Sequence, residues 1–279
     1  MTEQHKNSHS TQDIKAALNK ISEIVHQDGN LQDIQYFEYH KRRYLRMAQT
    51  LRTLPLSSRV VLNIGSHYLH SSLLLQFLGY EVYSMDVSEF WDLEFVKERQ
   101  KNFGVIKVVD NNLEQLNSQS EVKDKYDVIL FTEILEHITF NPINFWKKIY
   151  SLIQTKGYIY ISTPNSMSLL NIIRSLARIL LLRGIGEPVN EIFKKVTYGH
   201  HWKEYSPSEL KRYFSKMSED FTLQIKKYGY IDHEVSSFST AASSFLAYLG
   251  NTSNLFAEDL EAIVHVEKTG NWKIEPPEY

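Results

Sequence analysis

Three side chains capable of proton or metal chemistry fall within five positions: Glu133, Glu136 and His137, in a Glu-x-x-Glu-His run. If the chain turns helical there, offsets of three and four put them on one face. Much later His200 and His201 stand side by side, and His201, Glu204 and Tyr205 make a His-x-x-Glu-Tyr run just before a helix start. Imidazole titrates near neutrality, so His137 or His201 could take the proton from a hydroxyl that must become a nucleophile. A divalent metal could do the same work by lowering the hydroxyl's pKa. Sequence leaves open whether His200 or His201 points inward. Gly65 and Asp86, about 20 positions apart, suit recognition instead: at that spacing an acid accepts both hydrogen bonds of a ribose diol.

The elements that must position these residues are legible as texture. From Arg59 on, the apolar runs RVVLNIG, EVYSMDV, GVIKVVD, YDVILFTE and GYIYISTPN alternate with segments long enough to be helices, over 71–78, 90–103 and 141–153. Parallel neighbours need such crossovers, so the alternation predicts a parallel sheet. Asn141 as N-cap and Pro142 at the first helical position fix one boundary. Upstream, Ile14, Leu18, Ile21, Ile24 and Val25 recur at helical spacing up to Gly29. A second helix is expected over 33–51, with His40, Lys41, Arg42, Arg43 and Arg46 on a solvated basic face, and residues 54–58 form a linker.

Downstream, Leu169, Ile172, Ile173, Leu176, Ile179 and Leu180 share one helical face and Arg174 and Arg178 the other, a segment too short and too charged to span a bilayer. A helix lying on a membrane surface fits the pattern. A lid over an active-site mouth is the commoner arrangement and the one expected here. Ser206, Pro207 and Glu209 read as a capping box opening a helix to Met217. Two further strands are expected over 223–230 and 262–267, and the tail NWKIEPPEY is expected to be loose.

Composition removes several function classes. The chain has 279 residues, 42 % hydrophobic and 23 % charged, with a net charge of −2, so no bulk positive field exists to hold nucleic acid or anionic lipid. It contains no cysteine, which excludes disulfides, a thiolate nucleophile and a thiolate zinc cage. The polar start MTEQHKNSHSTQ lacks the apolar core of a secretory signal, and the expected location is the cytoplasm.

In an open parallel sheet the ligand sits beyond the carboxyl ends of the strands. A dinucleotide needs glycines at three fixed positions of the first turn, but here only Gly65 is present, with His67 and His70 at the others. That disfavours NAD. A ligand with a ribose and no pyrophosphate tolerates side chains there, and S-adenosylmethionine fits this description.

VLNIG, then Asp86 in SMDVS, then YDVILFTEILEHI and GYIYISTPN together resemble the class I S-adenosylmethionine-dependent methyltransferases, closely over residues 59–165. The nearest texture is the subgroup of ubiquinone-biosynthesis O-methyltransferases and bacterial enzymes acting on saccharides and natural products. The resemblance implies an α/β, Rossmann-like, seven-stranded and mostly parallel sheet whose last strand is antiparallel, with N-terminal helices and a helical lid insertion. The expected organisation is 1–54 polar tail and helices, 55–165 donor-binding core, 166–205 lid or acceptor insertion, and 206–279 completion of the sheet.

Carried over by position, Asn63, Gly65, Ser66 and His67 would line the methionine moiety. Asp86 with Val87 would hold the ribose, Asp110 and Asn111 would edge the adenine, and Glu133 would face the methionine or the acceptor. The family usually has an acid where Asn63 stands and glycines where His67 and Leu69 stand. The Glu-x-x-Glu-His and His-x-x-Glu-Tyr runs also resemble the enzymes that methylate the terminal 2′-hydroxyl of small RNAs, where Glu133, Glu136, His137 and His201 would ligate a divalent ion. Manganese, magnesium, iron or zinc would suit that set.

The leading expectation is O-methylation of a small-molecule or glycan acceptor, with His137 or His201 as base. An RNA-end 2′-O-methyltransferase and a non-catalytic domain that has lost its donor stay open as rivals. The net charge disfavours nucleic acid, no transmembrane segment is expected, and the oligomeric state is open.

Overall fold

A central strand buried on both faces cannot alternate polar with apolar side chains, and the run Tyr126–Thr132, with all seven residues buried, is such a strand. The computed structural model describes residues 3–120, 122–183, 186, 192–194, 199–230, 238–253 and 255–278. In chain order its elements are α1 (Glu3–Asp28), α2 (Leu31–Thr53), β1 (Val60–Ile64), α3 (His70–Phe77), β2 (Glu81–Asp86), α4 (Ser88–Trp91) and α5 (Glu94–Phe103). Then come β3 (Ile106–Val109), β4 (Tyr126–Thr132), α6 (Pro142–Leu152), β5 (Ile153–Pro164), α7 (Leu169–Leu180), α8 (Pro207–Met217), β6 (Phe221–Tyr228), α9 (Phe238–Ser253) and β7 (Asp259–Val266).

The strands make one seven-stranded, mostly parallel sheet in the order β3-β2-β1-β4-β5-β7-β6. β1 runs parallel to β2 from Val60↔Glu81 to Ile64↔Met85, and β2 parallel to β3. β7, the last strand, lies between β5 and β6 and runs antiparallel to β6, from Phe221↔Val266 to Tyr228↔Asp259. At the edge, β6 exposes Thr222, Gln224 and Lys226 in alternation, as a half-solvated strand should. This is the sheet the sequence predicted.

Two compact units divide the chain, Met1–Leu130 with Ser151–Gly157, and Phe131–Tyr150 with Tyr158–Tyr279. In the first, α1 packs on α2 and both pack on α3, burying Ile14, Leu18, Ile21, Val25, Phe37, Met47 and Leu51. Gly29 ends α1 at φ +67°, and the Asn30 side chain caps α2 by accepting the Asp33 N–H at 3.0 Å. The basic stretch of α2 is not the solvated face expected for it. His40 and Arg43 follow Phe37 at successive spacings of three and are buried with it, because helical spacing puts them on the packed side, while Arg42 stays exposed.

The linker is anchored from below by Asp127 in β4. Its carboxylate accepts the N–H and hydroxyl of Ser57, the N–H and hydroxyl of Ser58, and the Val60 N–H.

In the second unit α6 and α8 meet through aromatic edges. Trp146 packs against Phe131, Phe145 and Phe214 and donates its indole N–H to the Tyr213 hydroxyl at 2.7 Å. Ser206 and Glu209 form the reciprocal capping box that opens α8. The region predicted as one helix over 90–103 breaks at Asp92 and Leu93 into α4 and α5. The tail expected to be loose is held: Lys273 N–H bonds to the Met217 carbonyl, and Trp272 bridges to Ser218. Among the described residues no helix is long and apolar enough to cross a membrane.

Candidate functional site

The first unit carries the loop that leaves β1. Gly65 takes φ +72°, and the N–H groups of Gly65 and Ser66 both bond to the Met85 carbonyl, at 3.0 and 3.1 Å. Where the sequence has His67 and Leu69 in place of glycine, the backbone is left-handed all the same, at φ +48° and +69°. L side chains pay about 1–2 kcal/mol for that conformation. Leu69 offsets it by burying its side chain completely. His67 donates its N–H to Asp86 Oδ2 at 2.6 Å and sets its ring against Tyr36, Tyr68 and Phe90, with centroids 4.3, 3.7 and 4.2 Å away. Burial, with His70 adding to it, pushes the His67 imidazole down to about 3, so the ring is neutral.

Asp86 stands at the end of β2, as predicted. Oδ1 accepts the Val87 N–H at 2.8 Å and Oδ2 the His67 N–H. Burial pushes the carboxyl up to about 6 against the pull of those two amides. Asn63, in the usual place of an acid, gives its amide N–H groups to Ser71 and Ser72 of α3 at 2.9 and 2.8 Å. Its Oδ1, the Ser66 hydroxyl and His67 Nδ1 are buried and lack any protein hydrogen-bond partner. Three such atoms between the end of β1 and the loop after it are uncommon in a folded protein and call for a polar ligand or water.

The residues leaving β3 are engaged locally. Asp110 accepts the Asn112 N–H and both the N–H and hydroxyl of Ser118, bracing its own loop, and Asn111 Oδ1 accepts the N–H and hydroxyl of Ser88.

Sequence reasoning missed the support behind this loop. Asp33 of α2 is fully buried and accepts from His70 Nε2 at 2.9 Å and from the Arg99 guanidinium. Arg99, from α5 and equally buried, also donates to Asp28 at 2.7 Å and to the Tyr68 carbonyl at 2.8 Å. Burial would raise the Asp33 carboxyl, but the bonds from His70 and Arg99 outweigh it and hold it below the usual range. Burial lowers His70, so that neutral ring donates from Nε2 and faces the Tyr44 hydroxyl with Nδ1.

The second unit carries the acid and histidine runs. Glu136 and His137 sit on a 3-10 turn, Leu135–His137, not on the α-helix that would have aligned all three. Glu133 takes φ +57° and accepts the Ser162 hydroxyl at 2.9 Å, which lays it along β5 and away from the others. Glu136 is fully buried and accepts the Thr163 hydroxyl at 2.9 Å. Its carbonyl accepts the N–H groups of Trp202 and Lys203, which is how a segment more than sixty residues away is drawn onto the turn.

Each ring's tautomer follows from its partner. A carbonyl only accepts, so His137 Nδ1 carries the proton that bonds to the His200 carbonyl at 2.8 Å, and Nε2 keeps the lone pair. His201 Nδ1 faces Glu204 Oε1 at 3.1 Å, so that nitrogen carries a proton for the carboxylate. Glu204 in turn accepts from Asn171 of α7 at 2.9 Å. On the choice left open in the sequence, His200 is the buried one of the pair and His201 the exposed one, yet His200 meets His137 through its carbonyl and it is the His201 ring that meets the His137 ring, edge to face at 5.1 Å. One ligand atom each from Glu136, His137 and His201 lies within 4.8 Å of the other two. Glu133, expected in this set, is not part of it. Trp202, beside His201, is more than half exposed.

Comparison with known proteins agrees with this fold. A structure of a SAM-dependent methyltransferase from Archaeoglobus fulgidus superposes with a TM-score of 0.52 at 16 % identity, covering 85 % of this chain and all of the other. One from Thermotoga maritima gives 0.50 at 17 % identity over 88 % and 99 %. A chain of the complex between the Haloferax volcanii Trm112 methyltransferase activator and its methyltransferase gives 0.57 at 9 % identity over 88 % and 98 %. No curated protein matches. The profile described as Methyltransferase domain matches residues 34–218, two thirds of the sequence, and the chain belongs to that family.

Proposed function

We propose that the protein is a cytoplasmic S-adenosylmethionine-dependent O-methyltransferase of a small-molecule or glycan hydroxyl, with His137 as the proton acceptor. The observation that carries the reading is the His137 ring, its Nδ1–H fixed on the His200 carbonyl and its basic Nε2 directed to within 3.9 Å of the buried Glu136 carboxylate. The family implies the donor, and the first unit's residues fit it. Asp86 is a half-buried acid bonded to main-chain amides, able to receive a ribose diol, and Asn63 Oδ1, Ser66 Oγ and His67 Nδ1 are polar atoms in need of partners.

Bound S-adenosylmethionine supplies an electrophilic methyl on a sulfonium that leaves readily. The protein's own share is to place the acceptor oxygen in line and to remove its proton. His137 Nε2 takes that proton. The imidazolium that results is favoured by Glu136, whose burial strengthens the attraction. Glu136 is oriented by Thr163, and His201 by Glu204, so neither depends on a flexible side chain alone.

A second reading concerns the same group. Two imidazoles with committed Nδ1 atoms and one carboxylate fit a divalent cation, which would lower the pKa of a hydroxyl bound to it. Glu136, His137 and His201 would hold it.

Calorimetric titration with S-adenosylmethionine and S-adenosylhomocysteine tests the donor half: binding is expected in wild type and lost in Asp86→Ala. A panel of phenolic and saccharide hydroxyl acceptors, followed by release of S-adenosylhomocysteine, tests the rest, with His137→Ala slower by about 100-fold or more. Absence of heat with both ligands would overturn the donor assignment. An unchanged rate in His137→Ala would overturn the base.

A further inference from the structure

An amphipathic helix normally turns its apolar stripe to the core, and α7 does not. Of its twelve residues only Leu170 is buried. Ile173, Leu176, Ile179 and Leu180 stand 38, 55, 48 and 83 % exposed. α9 packs against α7 and extends the surface with Phe245, Tyr248 and Leu249, all exposed, and no charged residue occurs anywhere along it. Isolated exposed apolar residues need no explanation, but an exposed apolar stripe on one helix beside exposed aromatic and aliphatic residues on the helix packed against it does.

The charges beside this face point to its occupant. Arg174 and Arg178 hold the opposite, polar face of α7, Arg183 follows its end, and no acid occurs between Ser166 and Arg183, although the whole chain is slightly acidic. An apolar stripe whose opposite, polar face carries only arginines as charges matches a surface that is apolar within and anionic without. The headgroup boundary of an anionic bilayer is such a surface. At roughly 18 Å, a helix of this length lies in the interface and does not span it.

We infer that α7 and α9 form a docking face for anionic phospholipid membranes. The inference stands apart from the methyl-transfer reading, since it uses none of the histidine or Asp86 geometry. It does bring the bilayer to a helix that is one hydrogen bond from Glu204, through Asn171.

Co-sedimentation of the whole protein with vesicles tests it, using phosphatidylcholine alone and phosphatidylcholine with about 30 % phosphatidylglycerol. Binding is expected to the anionic vesicles and weak or absent with the neutral ones. Arg174→Gln should weaken binding about fivefold, and Leu176→Glu with Leu180→Glu by about tenfold or more. Those side chains are exposed, so the variants keep the wild-type melting temperature and circular dichroism, which are recorded alongside. Equal affinity for both vesicle types, or undiminished binding by the leucine variant, overturns the proposal. So does a concentration-dependent dimer in light scattering that Leu176→Glu dissolves, since the face would then belong to a second copy.

Discussion

Replacing Arg99 by Met tests whether the buried brace beneath the loop between β1 and α3 holds that loop in place. Methionine fills much of the space of the arginine stem, so what disappears is the guanidinium and its bonds to Asp28, Asp33 and the Tyr68 carbonyl. Asp33 is then a fully buried carboxylate facing only a neutral His70. Breaking a buried ion pair by removing one partner costs about 3–5 kcal/mol. For a chain of this size that lowers the thermal midpoint by roughly 10 °C.

The pH dependence gives a second check on the same variant. In wild type the Asp33 carboxyl lies below its ordinary value, so its contribution is complete above the unfolded carboxylate pKa and fades as pH falls through the lower folded one. In Arg99→Met burial is no longer opposed by the guanidinium and the folded pKa rises, so the deficit is largest near pH 7–8 and shrinks toward about pH 5. Adding Asp33→Asn should return about half of the lost stability by removing the stranded charge. Thermal unfolding followed by circular dichroism at both pH values measures this. A deficit below about 1 kcal/mol, or one that grows on acidification, would refute the brace.

Asp86 is raised to about 6, and a diol donates best to the ionised carboxylate, so affinity for S-adenosylhomocysteine is expected to be full above about pH 7 and to fall below about pH 6. Calorimetry at both ends checks it, and equal affinities would count against a ribose contact. If a cation sits on Glu136, His137 and His201, Mn²⁺ titration by electron paramagnetic resonance should show binding that Glu136→Gln abolishes and Glu204→Gln weakens by about 10- to 100-fold. Identical titrations in all three proteins would remove that reading. Asp127→Ala loses five hydrogen bonds and should cost about 2–4 kcal/mol near neutrality. Burial would raise this acid but its serine bonds hold it low, so the gap to wild type should narrow as pH falls through its folded pKa, and a gap independent of pH would refute the assignment.

The parallel sheet and its crossover helices could be read from the sequence because they rest on local texture: continuous apolar runs, helix-length spacers, and caps such as Asn141–Pro142 and Ser206–Glu209; the antiparallel last strand is implied by the family resemblance alone. Asp86 could be placed because a strand end and a spacing locate it. Side-chain partners across long separations left no such trace. Nothing near Glu136 in sequence says that its carbonyl will receive the amides of Trp202 and Lys203, and that pairing is what brings His201 to His137. The helical alignment expected for Glu133, Glu136 and His137 failed because the chain leaves β4 through a left-handed Glu133 and a single 3-10 turn, too short for an i, i+4 face. The burial of Asp33, His40 and Arg43 was likewise invisible, since a polar residue on a helix reads as solvated until the facing helix is known.

Left-handed backbone at positions 65, 67 and 69 is what a glycine-rich loop would adopt freely, and here one glycine does the work of three. The strain at His67 and Leu69, about 1–2 kcal/mol each, must be met by contacts a glycine would not make. Leu69 meets it in the core of the first unit, but His67 meets it through Asp86 and through Tyr36, and Tyr36 belongs to α2. α2 is fastened in turn by Asp33 to His70 and Arg99, so the residues that replace the missing glycines depend on a helix that precedes β1 altogether. The family match begins at residue 34, inside that helix. The N-terminal helices are therefore part of the support of the loop between β1 and α3, and a substitution at Asp33 or Tyr36 should act on that loop though neither residue belongs to it.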